Sequence, residues 1–151
     1  MSLAIIRPDG WDFPLLLHVA GTMVLVGSLA VVLTCLVLGR REGAVPLTRL
    51  GFRTLLFGAL PAFVVMRAGA EWINSKEDIP DDPSWIGIGY STSDGGLLLL
   101  IIATVLAGLA ARRLRREGGR SPGVATAASL LIALSIAGYA LAIWAMTTKP
   151  D

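Results

Sequence analysis

Residues 53–72 read RTLLFGALPAFVVMRAGAEW, and this stretch decides the architecture. It is apolar enough to cross a bilayer, yet it carries Pro61 in its middle, Arg67 near one end and Glu71 one helical turn later. A guanidinium inside a hydrophobic helix costs free energy unless it is paired or hydrated. Either the fold brings partners to Arg67, or the arginine serves a site. Pro61 removes one backbone hydrogen bond and is expected to kink the helix near its centre.

Three more apolar blocks flank this one. The spans are expected at about 13–38, 48–72, 95–111 and 124–146, with an outer loop at 73–94, all within a single transmembrane domain of residues 1–151. Only 16% of the residues are charged and mean hydropathy is +0.70, whereas about 25% charged residues is usual for a soluble domain. The apolar residues are gathered into blocks and not spread at amphipathic spacing, the mark of an all-α membrane protein. The N-terminal block reads as a first span and not a cleavable signal. Arg7 is the one basic residue ahead of it, Asp9 and Asp12 follow, and no small-residue cleavage motif comes after.

Trp11, Trp85, Tyr90 and Trp144 are placed as interfacial anchors. The first half of the outer loop is acidic and contains prolines. Its second half, WIGIGY at 85–90, alternates apolar residues with glycine and is expected to lie on the membrane surface or make a short strand-like excursion. Ser93 and Asp94 are expected to cap the third span.

Charge fixes the expected orientation. Arg40, Arg41, Arg49, Arg53, Arg112, Arg113, Arg115, Arg116 and Arg120 sit around the first and third loops, against Glu42 and Glu117. By the positive-inside rule those loops are cytoplasmic, both termini lie outside, and short connections give an up-and-down antiparallel bundle of four helices. The basic balance therefore indicates topology, not nucleic-acid binding. Arg40, Arg41, Arg112, Arg113, Arg115 and Arg116 are topology determinants that also meet anionic lipid headgroups. The glycine-rich, arginine-rich, lysine-poor composition suits the inner membrane of a high-GC bacterium.

One polar constellation stands out. His18 and Arg67 fall at similar depth below the outer interface, Glu71 is at i+4 from Arg67, Thr22 is at i+4 from His18, and Tyr139 sits slightly deeper. Asp12 and Asp94 reach the rim. Three uses follow from these groups. His18 and Glu71 exchange protons with Arg67 tuning them; Arg67 binds an anionic headgroup or carboxylate; or His18 ligates haem. Against these stands a structural role, in which Arg67 pairs with Glu71 and His18 bonds a neighbouring helix. Haem is the weakest of the three, because the chain has a single histidine. The ligand set for a catalytic metal is missing, and there is no phosphate loop, nucleophile elbow or triad. Cys35 reads as a small packing residue. Gly21, Gly27, Ser28, Gly58, Ala62, Ala103, Ala107, Gly108, Ser135 and Gly138 are expected at helix contacts.

The stretch LLLHVAGTMVLVGSLA at 15–30, with a histidine near the outer start of a first span and glycines after it, resembles small bacterial membrane proteins of the DUF2269 group. More loosely, it is similar to the membrane part of CopD-type proteins. The resemblance covers the first two spans and implies fold and membrane location. The copper handling of CopD-type proteins would need further histidines and methionine clusters than this chain has. The expectation is a non-enzymatic accessory or structural subunit of a membrane complex, or a homo-oligomer in contact with lipid. The alternative is a small transporter or binding protein for an anionic or lipid-like ligand at an outward His/Arg/Glu site. The orientation is checked with Cys35 replaced by serine and single cysteines introduced. A membrane-impermeant thiol reagent on intact cells should label Lys149→Cys and spare Gly118→Cys.

Overall fold

The computed structural model describes residues 12–76, 84–117 and 122–148. Among these, every regular element is helical: α1 (Asp12–Glu42), α2 (Val45–Thr54), a π-turn (Leu55–Ala59), α3 (Leu60–Asn74), α4 (Ser84–Glu117) and α5 (Pro122–Thr148). The run from Val45 to Asn74 is continuous, so four helices are long and apolar enough to cross a membrane. Trp11, the acidic stretch 77–83, Arg120, and the side chains of Asp12 and Trp85 lie outside the described residues.

The helices extend beyond the expected spans. Arg40 and Arg41 lie in the last turn of α1, and the expected first loop shrinks to Gly43 and Ala44. Gly43 takes φ 65°, and the Ala44 N–H donates to the Gly39 carbonyl over 3.0 Å. This is a Schellman stop, for which glycine suits the left-handed position. Pro46 then sits in the first turn of α2, where its missing N–H is harmless.

The proline in the second span acts differently from expectation. The interruption is a π-turn at 55–59, just ahead of Pro61, with the Leu60 N–H reaching back to the Leu55 carbonyl. Buried residues line the span on both sides of that turn: Thr48, Gly51, Leu55, Ala59, Ala62, Phe63, Met66 and Gly69 all point inward. Pro61 itself is exposed.

The largest correction concerns α4. WIGIGY is helical, with no strand, and Ser93 and Asp94 lie well inside the helix instead of capping it. Its glycines and β-branched residues have poor helix propensity, but burial overrides propensity here. Gly89, Ser93, Gly96, Leu100, Ala103, Ala107, Ala110 and Leu114 form one buried seam in alternating steps of four and three. That spacing keeps a single face toward neighbours along the whole helix.

Close backbone approach holds α1 against the second span. A Cβ on Gly21 would lie 2.6 Å from the Met66 nitrogen, and one on Gly69 would lie 2.6 Å from the His18 nitrogen. Gly58 meets Ser28, Gly51 meets Cys35 and Leu36, and Gly39 meets Thr48. The partners run in opposite order, so the pair is an antiparallel hairpin in one register. Cys35 is buried as a small packing residue. Ala62, Ala103, Ala107 and Ser135 are buried, Gly108 receives Phe52 and Gly138 faces Thr92, all in keeping with contact roles. Gly27 is the exception: it is exposed, with open space where a side chain would go. α4 packs on α5 by the same device, Gly89 under Met146 and Gly96 under Tyr139. Gly69→Ala should therefore destabilise the protein by about 1–3 kcal/mol, since backbone blocks the added methyl. Gly27→Ala should be neutral or slightly stabilising in the same thermal unfolding assay in detergent.

Candidate functional site

The reciprocal packing of α1 and α3 determines what His18 does. Each helix carries a bulky residue followed three positions later by glycine, His18 with Gly21 and Met66 with Gly69, and each glycine receives the other helix's backbone. The imidazole is thereby held at the contact, where its Nδ1 bonds the Met66 carbonyl over 3.1 Å. A carbonyl only accepts, so Nδ1 is the donor in this pair. This is the structural role weighed for His18: it bonds a neighbouring helix. Thr22, one turn on, donates its hydroxyl to the His18 carbonyl at 2.7 Å within its own helix. Back-bonding of this kind satisfies a hydroxyl inside an apolar span without presenting it to a ligand.

Arg67 is one position beyond Met66 and turns away from α1 toward α4. Its Nε is 2.9 Å from Glu71 Oε1, and a terminal nitrogen is 3.1 Å from Asp94 Oδ1. The guanidinium also lies over the Tyr90 ring, 4.5 Å from its centroid, and the Tyr90 hydroxyl donates to Glu71 Oε2 at 3.3 Å. One cation thus meets two carboxylates and an aromatic face. Such a network is stronger than an isolated surface pair, because each member limits the freedom of the others. It joins α3 to α4, and Phe13 edge-on to Trp72 at 6.0 Å closes the same end between α1 and α3.

The structure brings together some of the expected residues and separates others. Arg67 and Glu71 pair as their spacing implies. Tyr139 does not join them: it is buried against Gly96, and its hydroxyl has no hydrogen-bond partner, as is true of the buried Ser93 hydroxyl. Asp94, expected both as a cap and at the rim of the cluster, and Tyr90, expected as an interfacial anchor, are Arg67's partners. Their i, i+4 spacing mirrors that of Arg67 and Glu71 and signals a shared helical face. Ending the helix at Ser93 hid that signal. Among the described residues no group of three or more His, Cys, Asp or Glu is placed to hold a metal ion.

At the other end the arginines divide into separate sets. Arg40 donates to the Thr126 hydroxyl at 2.6 Å, tying α1 to the start of α5. Arg41, Arg113 and Arg116 are exposed and outside any cleft lining, and the remaining four are exposed as well but share one. Arg112 and Arg115 line a cleft of about 620 Å³ between α2 and α4 together with Arg49 and Arg53. Sequence spacing alone does not separate these groups, since which arginine faces which helix depends on packing.

Comparison with protein-family models, with curated proteins and with solved structures finds no match to this chain. Function is accordingly argued from these contacts. Arg67→Ala is expected to lower stability by about 0.5–1 kcal/mol, the modest loss proper to carboxylates that are 49% and 71% exposed. Combining Arg67→Met with Glu71→Gln and Asp94→Asn should recover part of that loss. Thermal unfolding in a mild detergent measures both.

Proposed function

We propose that this chain is a non-enzymatic multi-pass protein of a bacterial cytoplasmic membrane, with both termini outside, acting as an accessory subunit of a larger membrane assembly. The observation that carries this reading is the use of its intramembrane polar groups. His18 is taken up by the Met66 carbonyl, and Arg67 by Glu71, Asp94 and Tyr90. These groups hold the chain's own helices together, as expected of a rigid partner-binding element. Glu71 and Asp94 stay substantially exposed, at 49% and 71%. With Glu77, Asp78, Asp81 and Asp82 in the intervening sequence they outnumber Arg67 and Lys76, a balance that suits a basic extracytoplasmic segment of a partner.

The alternative, an outward site for an anionic ligand, is less favoured by the same geometry. Two carboxylates around one guanidinium repel an incoming anion and occupy the fork it would need.

The test is the native mass of the protein, taken from its own host's membranes in a mild detergent, with every co-purifying chain identified. A stoichiometric larger partner supports the accessory role, and a stable homo-oligomer redirects it to self-assembly. A monomer with no companion overturns both. Arg67→Ala and His18→Ala are expected to reduce assembly or abundance severalfold without altering uptake of any solute.

A further inference from the structure

The cleft at the arginine-rich end is formed by two helices that supply two guanidiniums each. Arg49 and Arg53 are one turn apart on α2, and Arg112 and Arg115 are one turn apart on α4. Among the described residues, no carboxylate lies within ion-pair distance of any of the four. Four like charges converging on a space of about 620 Å³ repel one another and favour a counter-charge. The guanidinium fork matches a phosphate oxygen pair, and several forks together select for it over a single point charge.

Below the arginines the cleft changes character. Phe52, Val105 and Leu109 line it, and the absence of a side chain at Gly108 lets the Phe52 ring come close to α4, 3.0 Å from where a Cβ would be. The lining continues to Thr104, whose hydroxyl is already bonded to the Leu100 carbonyl at 2.7 Å. From Arg115 to Thr104 the helix rises about 16 Å at 1.5 Å per residue. A phosphate fills only the mouth of such a cleft. An acyl chain fills the rest.

We propose that this cleft is a binding site for one anionic glycerophospholipid from the adjoining leaflet, its phosphate held by Arg49, Arg53, Arg112 and Arg115 and an acyl chain laid over Phe52, Val105 and Leu109. The site is distinct from the general basic surface. Arg113 and Arg116 lie on the same helix, carry the same charge and stay outside the cleft, so they serve as its control. The inference is independent of the accessory role, because a monomer would carry the same cleft.

The experiment is a lipid titration of the purified full-length protein, read by native mass spectrometry, with phosphatidylglycerol and phosphatidylcholine as the two probes. One phosphatidylglycerol should be retained at concentrations where phosphatidylcholine is not. The Arg49→Gln/Arg53→Gln pair should weaken retention roughly tenfold or more, the loss expected when charge-assisted contacts to phosphate are removed. The Arg112→Lys/Arg115→Lys pair keeps charge and topology but loses the forks, and should weaken it severalfold. The Arg113→Gln/Arg116→Gln pair should leave it within about twofold, since these side chains only add to a screened surface field. Should the glutamine pair not fold, the lysine pair carries the test. Equal losses from the cleft and control pairs would mean diffuse attraction and overturn the proposal. So would absence of preference between the two lipids. Displacement by millimolar inorganic phosphate would make the site one for a soluble anion, and overturn the lipid assignment.

Discussion

Everything in this molecule depends on how closely α1 and α3 approach. Lipid offers helices no hydrophobic drive to associate, so association has to come from dispersion and hydrogen bonding at short range. Gly21 and Gly69 provide the short range, and the His18 to Met66 bond provides the directional contact across it. Neither works without the other. A larger residue at either glycine would move the imidazole off its carbonyl, leaving a half-buried donor without that partner. The histidine is thus best understood as part of the packing geometry, which explains why one histidine is enough.

The ion cluster rests on that contact. Arg67 follows Met66 directly, so the depth and rotation that seat Met66 on Gly21 also aim the guanidinium toward α4. There it finds Asp94 and Tyr90 in addition to its own Glu71. Intramembrane arginine is tolerated when its charge is delocalised over several partners near the interface. The two ends of the protein handle arginine in opposite ways. At one end a single guanidinium meets two carboxylates; at the other, four line one cleft, and among the described residues no carboxylate pairs with them.

The fold was legible in the sequence where hydrophobic mass decides it. Four apolar blocks give four helices, and the pair Arg67 and Glu71 follows from spacing alone. The errors came where polarity was taken as the end of a helix. Arginine and leucine favour helix whether or not lipid surrounds them, so α1 and α4 run on through Arg41 and Arg116. In Ser84–Gly96 the glycines looked like loop, although Gly89, Ser93 and Gly96 continue the small-residue seam of Ala103 and Ala107. Propensity was read there and periodicity missed. Tyr90 is hidden for that reason, whereas Asp94 is legible at the rim of the cluster; Tyr139 shares the cluster's depth, but linear spacing does not say which face it occupies. The division of the arginines between cleft and surface has no counterpart in the linear pattern. It arises only when α2 and α4 are side by side.

The π-turn at Leu55–Ala59 gives the second span a phase. One surplus residue in a regular α-helix would rotate everything beyond it by about 100°, and the wide turn absorbs that residue locally. α2 carries Arg49, Phe52 and Arg53 on the face that meets α4, and α3 carries Met66, Arg67 and Gly69 on faces that meet α1 and α4. The two sets share one rod, and their relative azimuth is set at that turn. A chain one residue shorter there could close the turn to a regular α-helix and keep both ends in register. The same deletion elsewhere between Arg53 and Met66 would put either the glycine contact and ion cluster or the arginine cleft out of register.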